Sequence, residues 1–149
     1  MLGGNERHHL SIGTISYGRM LGDVYGINHW YGGNWELRGE LFGGVQFNSE
    51  THWVVGLTPH LRYHFISGMR WVPFVDIGIG ISLTDIRLPD LGGSFQFNTQ
   101  AGAGLNWFIK DNLAISLECR YLHLSSAGLS MPNDGVNTLG GILGLNWFY

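Results

Sequence analysis

Long apolar runs are missing from this chain. Nowhere do about 18 consecutive apolar residues occur, so no segment can cross a bilayer as a helix. Charge is scarce as well: Asp, Glu, Lys and Arg make up 13% of the 149 residues, about half the share of a soluble domain. The formal charge of −3 comes without clustered Lys and Arg, which argues against nucleic acid as a partner. The single Cys119 excludes an internal disulfide. Met1-Leu2-Gly3-Gly4-Asn5 has neither a basic n-region nor an apolar h-region, so no signal peptide is expected. If the protein is exported, the sequence is read as a mature form with an added initiator Met. Arg7-His8-His9 is too short for a tag, and His8 and His9 read as a solvated terminus. Low charge without a helical span leaves a soluble β-rich domain or a membrane barrel with apolar residues at alternate positions.

What is abundant is alternation with period two, the mark of strands. From Trp71 to Thr84 the odd positions read Trp71, Pro73, Val75, Ile77, Ile79, Ile81 and Leu83, while the even ones include Asp76, Gly78, Gly80, Ser82 and Thr84. The split recurs with Thr58, His60, Arg62 and His64, with Gln96, Asn98, Gln100 and Asn106, and with Glu36, Arg38 and Glu40. Eight strands are predicted, at about 8–17, 22–31, 34–48, 51–66, 70–84, 94–108, 112–125 and 135–148; most are long enough to cross a bilayer at a tilt. The alternation is ragged in the first two.

The even face, with Glu118 and Arg120 added, suits a narrow lumen, and the broad apolar odd face suits lipid. Trp35, Trp71, Trp107 and Trp147 sit near strand ends, as an aromatic girdle would. The expectation is one domain, 1–149, an all-β, eight-stranded antiparallel transmembrane β-barrel. A lipocalin-like soluble cup would put Glu, Arg and His outside and leave the Trp pattern unexplained. Short connections near 32–33, 67–69 and 110–111 and longer ones at 85–93 and 126–134 place both termini in the periplasm. The closing Trp147-Phe148-Tyr149 resembles the assembly signal of outer-membrane proteins.

Chemistry concentrates near the C-terminus. His123 and Ser125 lie two apart on one strand and share a face. By parity that face is the apolar one of Leu113, Ile115, Leu117, Cys119 and Tyr121, and Asn137 falls in line with Leu139, Leu143, Leu145 and Trp147. Polar groups facing hydrocarbon are costly unless they pair. Pairing across the last hairpin would make His123 a general base for the Ser125 hydroxyl, with Asn137 holding the imidazole tautomer. Polar residues at strand ends near the headgroups are the plainer reading of any one of the three. His60 and His64 share the lumen face and read as parts of the interior polar network rather than metal ligands. No metal set is apparent, and the Gly pairs precede no helix and form no phosphate loop.

His123-x-Ser125-x-Ala127-Gly128 followed by Pro132-Asn133-Asp134-Gly135 resembles the signature of the PagL-type lipid A 3-O-deacylases, also grouped with acyloxyacyl hydrolases. Val72-Pro73-Phe74-Val75-Asp76-Ile77-Gly78-Ile79-Gly80 and Gly102-Ala103-Gly104-Leu105 look like that family's fifth and sixth strands. The resemblance is clear over about residues 50–149 and looser before. It implies an outer-membrane serine esterase that needs no cofactor and removes the 3-linked hydroxyacyl chain of lipid A in the outer leaflet. Its substrate partner is lipopolysaccharide, its surroundings are outer-membrane lipids, and a homodimer is compatible with it.

The family's His maps to His123 and its nucleophile to Ser125. Its acidic third member falls at Asn137, a departure, and the Asn that often follows the nucleophile is Ser126 here, another. Asn137 is expected to orient His123, with Asp134 a substitute acid; Glu118, on the lumen face, cannot serve. Backbone N–H groups of Ser126, Ala127 and Gly128 are the candidate oxyanion donors. The two departures keep a second reading open, a non-enzymatic structural or adhesion barrel with a degenerate site. An acyltransferase would instead need a water-excluding pocket inside.

Overall fold

The computed structural model describes residues 10–47, 51–67, 69–86 and 91–148. The N-terminal segment with His8 and His9, and Tyr149 of the terminal aromatic run, lie outside the described residues. Seven strands form one antiparallel sheet: β1 (Leu10–Tyr25), β2 (Gly33–Phe47), β3 (Thr51–Phe65), β4 (Trp71–Thr84), β5 (Phe95–Lys110), β6 (Leu113–Ser125) and β7 (Val136–Trp147). Each strand pairs with its sequence neighbours, in the order β1 to β7.

The expected eight-stranded closed barrel is therefore corrected on two counts. The segments 8–17 and 22–31 are not two strands. One strand runs through Gly18 to Tyr25, and its pattern is ragged because the register shifts between Leu21 and Tyr25: Leu21 faces Trp35 but Tyr25 faces Gly33. Gly22, at φ 75°, takes the left-handed conformation inside that bulge. The chain then turns, with His29 N–H donating to Gly26 C=O (2.8 Å) and Gly32 N–H to His29 C=O (2.9 Å). Second, among the described residues no pairing joins β1 to β7, so these are the edges of an open sheet. The odd number of strands also puts the start of β1 and the end of β7 at opposite ends of the sheet, not on one side as eight strands would. With seven strands, Leu10 lies at the end carrying the 85–94 and 126–135 loops, and Trp147 at the other.

The sheet is deeply curled. β2 and β6 are four strands apart, about 19 Å if flat, yet Arg120 of β6 donates to Glu40 of β2 across the concave side. Residues of the even face fill that concavity. Arg62 binds Asp76 (Nε–Oδ2 2.9 Å) and Glu118 (Nη2–Oε2 2.8 Å), and Arg120 also binds Glu118 (2.6 Å) and Gln100 (3.0 Å). Thr58 donates to Asn98 (2.7 Å) and accepts from Gln100 (3.0 Å). His64 meets Glu36 at 2.7 Å, while His60 stands 3.7 Å from Glu40 and 3.9 Å from Asp76. Buried charges persist only when paired in this way.

The convex face is apolar: Ile77, Leu117, Leu139 and Leu143 are all more than 60% exposed. Trp71 stacks on Trp107 (5.1 Å between centroids) and Trp35 packs edge-on against Tyr63 (4.8 Å), at the end away from the long loops. An exposed apolar surface this continuous marks a face built for another apolar phase.

At the loop end of β6 and β7 the rule of polar inside, apolar outside is locally broken, while Ser82, Thr84, Gln96 and Asn98 keep it on β4 and β5. Phe42, Val54, Leu122, Leu124 and Val136 pack with Ile86 and Leu91 of the 85–94 loop into a buried apolar plug. This plug backs the hairpin end that carries His123, Ser125 and Asn137.

Candidate active site

β6 delivers His123 and Ser125 to its last three residues, on the convex face, with inward-pointing Leu122 and Leu124 anchoring the strand on either side of His123. The β6–β7 register sets His123 directly opposite Asn137. His123 Nδ1 lies 2.8 Å from Asn137 Oδ1, and Tyr121 donates its hydroxyl to the same oxygen at 2.5 Å. With Oδ1 as acceptor, Nδ1 carries the proton and Nε2 keeps its lone pair. All three site residues are half-buried. Gly135, at φ 76°, makes room for the ring: a Cβ there would stand 3.0 Å from His123 Cε1.

Ser125 is not bonded to His123. Its hydroxyl donates to Asn133 Oδ1 (3.2 Å), and its oxygen accepts from Ala127 N–H (3.2 Å). Asn133 Oδ1 also accepts from Ser126 N–H (2.8 Å). The Ser126 hydroxyl is within range of Asn133 Oδ1 (3.0 Å) and Ser130 C=O (2.9 Å), and donates to one at a time. Asn133 is itself held by a β-bridge to Leu91 of the neighbouring loop.

Of the three expected oxyanion donors, Ser126 is fully buried with its N–H engaged, and Ala127 N–H points at the Ser125 oxygen. Among the described residues Gly128 N–H has no protein acceptor. Ala127 and Gly128 both adopt left-handed backbone, at φ 53° and 83°, and Ala127 N–H is the amide that reaches the Ser125 oxygen. Asp134 is exposed and does not contact His123, so the imidazole partner is Asn137. Glu118 is buried on the concave side with Arg62 and Arg120.

A family model described as Lipid A 3-O-deacylase (PagL) matches residues 17–146. The chain belongs to the PagL lipid A deacylase family. Among its relatives, the lipid A deacylase PagL of Pseudomonas aeruginosa is 32% identical over 87 residues, covering 56% of this chain and 47% of that protein. The lipid A deacylase PagL of Bordetella bronchiseptica is 30% identical over 121 residues, covering 74% and 64%. The chain thus spans less than two thirds of the length of either relative. The crystal structure of the outer membrane enzyme PagL superposes with a TM-score of 0.73 at 20% identity, over 95% of each chain. At that identity the likeness speaks for the fold alone.

Two residues contact the site that strand parity did not assign to it, Asn133 and Tyr121. Asn133 lies in a loop, where alternation says nothing; the Pro132-Asn133-Asp134-Gly135 run was its only signal. Tyr121 reads as one more member of the apolar wall, and only the diagonal reach of its ring across β6–β7 brings the phenol to Asn137.

Proposed function

We propose that this chain is an outer-membrane lipid A 3-O-deacylase, a serine esterase that hydrolyses the 3-linked hydroxyacyl ester of lipopolysaccharide lipid A. The observation that carries the reading is the 2.8 Å contact of His123 Nδ1 with Asn137 Oδ1 beside Ser125, on an otherwise apolar outward face. Hydrocarbon is the solvent of that face, and the loop end faces the outer leaflet, where the ester linkages of lipid A lie.

On substrate entry the Ser125 hydroxyl leaves Asn133 and turns to His123 Nε2; catalytic hydrogen bonds are often unformed in a free enzyme. His123 takes the hydroxyl proton as Ser125 Oγ bonds to the ester carbonyl carbon. The oxyanion is met by the amides of Ala127 and Gly128. Collapse breaks the bond to the sugar oxygen, which takes the proton from His123 and leaves as the alcohol. The acyl-serine is then cleaved by water, whose proton passes to His123 and back to Ser125, and a 3-hydroxy fatty acid departs. Asn137 orients His123 without neutralising its positive charge.

The test is to refold the chain in detergent, incubate it with lipid A and measure released 3-hydroxy fatty acid. Wild type is expected to release it, and Ser125→Ala and His123→Ala to release none while their far-ultraviolet circular dichroism stays that of wild type. Near-normal activity in Ser125→Ala would remove the nucleophile. The bond from Ser125 to Asn133 favours a second reading, a non-enzymatic member with a degenerate site. No release by wild type, under conditions where a relative is active, would establish that reading instead.

A further inference from the structure

We propose that Tyr121 is a positioning residue: its phenol sets which end of the Asn137 carboxamide meets His123. The inference rests on the deacylase reading and extends it to a residue outside the Ser–His–Asn set.

A carboxylate presents an oxygen whichever way it is turned. A carboxamide does not. Turned over, Asn137 would offer N–H to Nδ1, the ring proton would move to Nε2, and His123 could no longer take a proton from Ser125. Something must therefore hold the amide. Tyr121 stands two residues before His123 on β6, on the same face, and reaches diagonally to Asn137, which pairs with His123. Its oxygen lies 2.5 Å from Asn137 Oδ1. That separation fits an O–H···O bond and is shorter than the range of about 2.7–3.2 Å for N–H···O. With an amide nitrogen at that place the phenol would have to turn from donor to acceptor and move out to about 2.7 Å or more. Tyr121 is half-buried, whereas Leu117 on its own strand and Leu139 opposite are well exposed, as expected if the ring lies over the β6–β7 pair rather than out in the surroundings.

One carboxamide oxygen thus takes two donors, the phenol and Nδ1–H. The phenol does not touch substrate; it acts through Asn137 on the tautomer of His123.

The experiment measures Tyr121→Phe in two ways. On lipid A in mixed micelles, kcat is expected to fall roughly tenfold with KM within about twofold, the size expected for loss of one orienting hydrogen bond. In the Asn137→Glu background the same change is expected to cost less than about twofold, because a carboxylate needs no orientation. Separately, the ring ¹⁵N shifts of His123 should report Nδ1–H in wild type and a tautomer mixture in Tyr121→Phe. Unchanged kcat together with unchanged His123 shifts would overturn the proposal. So would an equal loss of kcat in both backgrounds, which is what a merely structural tyrosine would give. The failure of the parent reading looks different. There, Ser125→Ala retains hydrolysis, or wild type has none, and the ¹⁵N measurement still decides on Tyr121.

Discussion

Ser125 gives its hydroxyl to Asn133, 3.2 Å away, and not to His123 two residues behind it. The nucleophile of the proposed reaction is thus parked against a loop residue. The same Asn133 oxygen holds Ser126 N–H at 2.8 Å, so one carboxamide fixes both the hydroxyl and the start of the turn that carries Ala127 and Gly128.

Asn133→Ala should therefore loosen the turn. The Ser126 amide loses its acceptor, and its hydrogen exchange is expected to speed up by tenfold or more, about 1–2 kcal/mol of local opening. Hydrolysis should fall with it, because the Ala127 and Gly128 amides lose their placement. Exchange mass spectrometry on residues 126–134 with lipid A turnover checks both, and an unchanged exchange rate would contradict the assignment.

Asn137→Glu restores a negative charge beside His123 and is expected to keep or raise activity. Asn137→Leu removes the acceptor, lets the ring proton sit on either nitrogen, and should lower kcat by at least about a hundredfold, within the cost of a wrongly held histidine. Kinetics of the two variants on one preparation of lipid A decide it. Complete loss in Asn137→Glu would count against the His-orienting role.

In the concavity, Arg62 bridges Asp76 and Glu118. Arg62→Met leaves two buried carboxylates without their shared cation and should cost about 3–5 kcal/mol. Adding Asp76→Asn should recover part of it. Urea unfolding of the micelle-bound single and double variants tests this, and a midpoint unchanged from wild type in Arg62→Met would contradict it.

Six of the strands could be read from alternation to within two residues of their ends, since each buries one face and exposes the other. β1 could not, because the bulge at Gly22 breaks its parity and imitates a strand boundary. Closure could not either: alternation tells inside from outside but not which edges meet. At the site, parity was enough to put His123, Ser125 and Asn137 on one face. It was blind to Asn133, which a turn delivers, and to Tyr121, whose phenol matters only through a cross-strand diagonal. Parity also gave no sign that Ser125 would be bonded elsewhere.

The plug of Phe42, Val54, Leu122, Leu124 and Val136 lies directly behind the hairpin that carries the site, under Ile86 and Leu91. It is an apolar partition between His123 and the trough that holds Arg62, Glu118 and Arg120. In the proposed reaction, then, the water that cleaves the acyl-serine would reach Ser125 and His123 from the rim and the outer face on which they stand, not through the strand wall behind them.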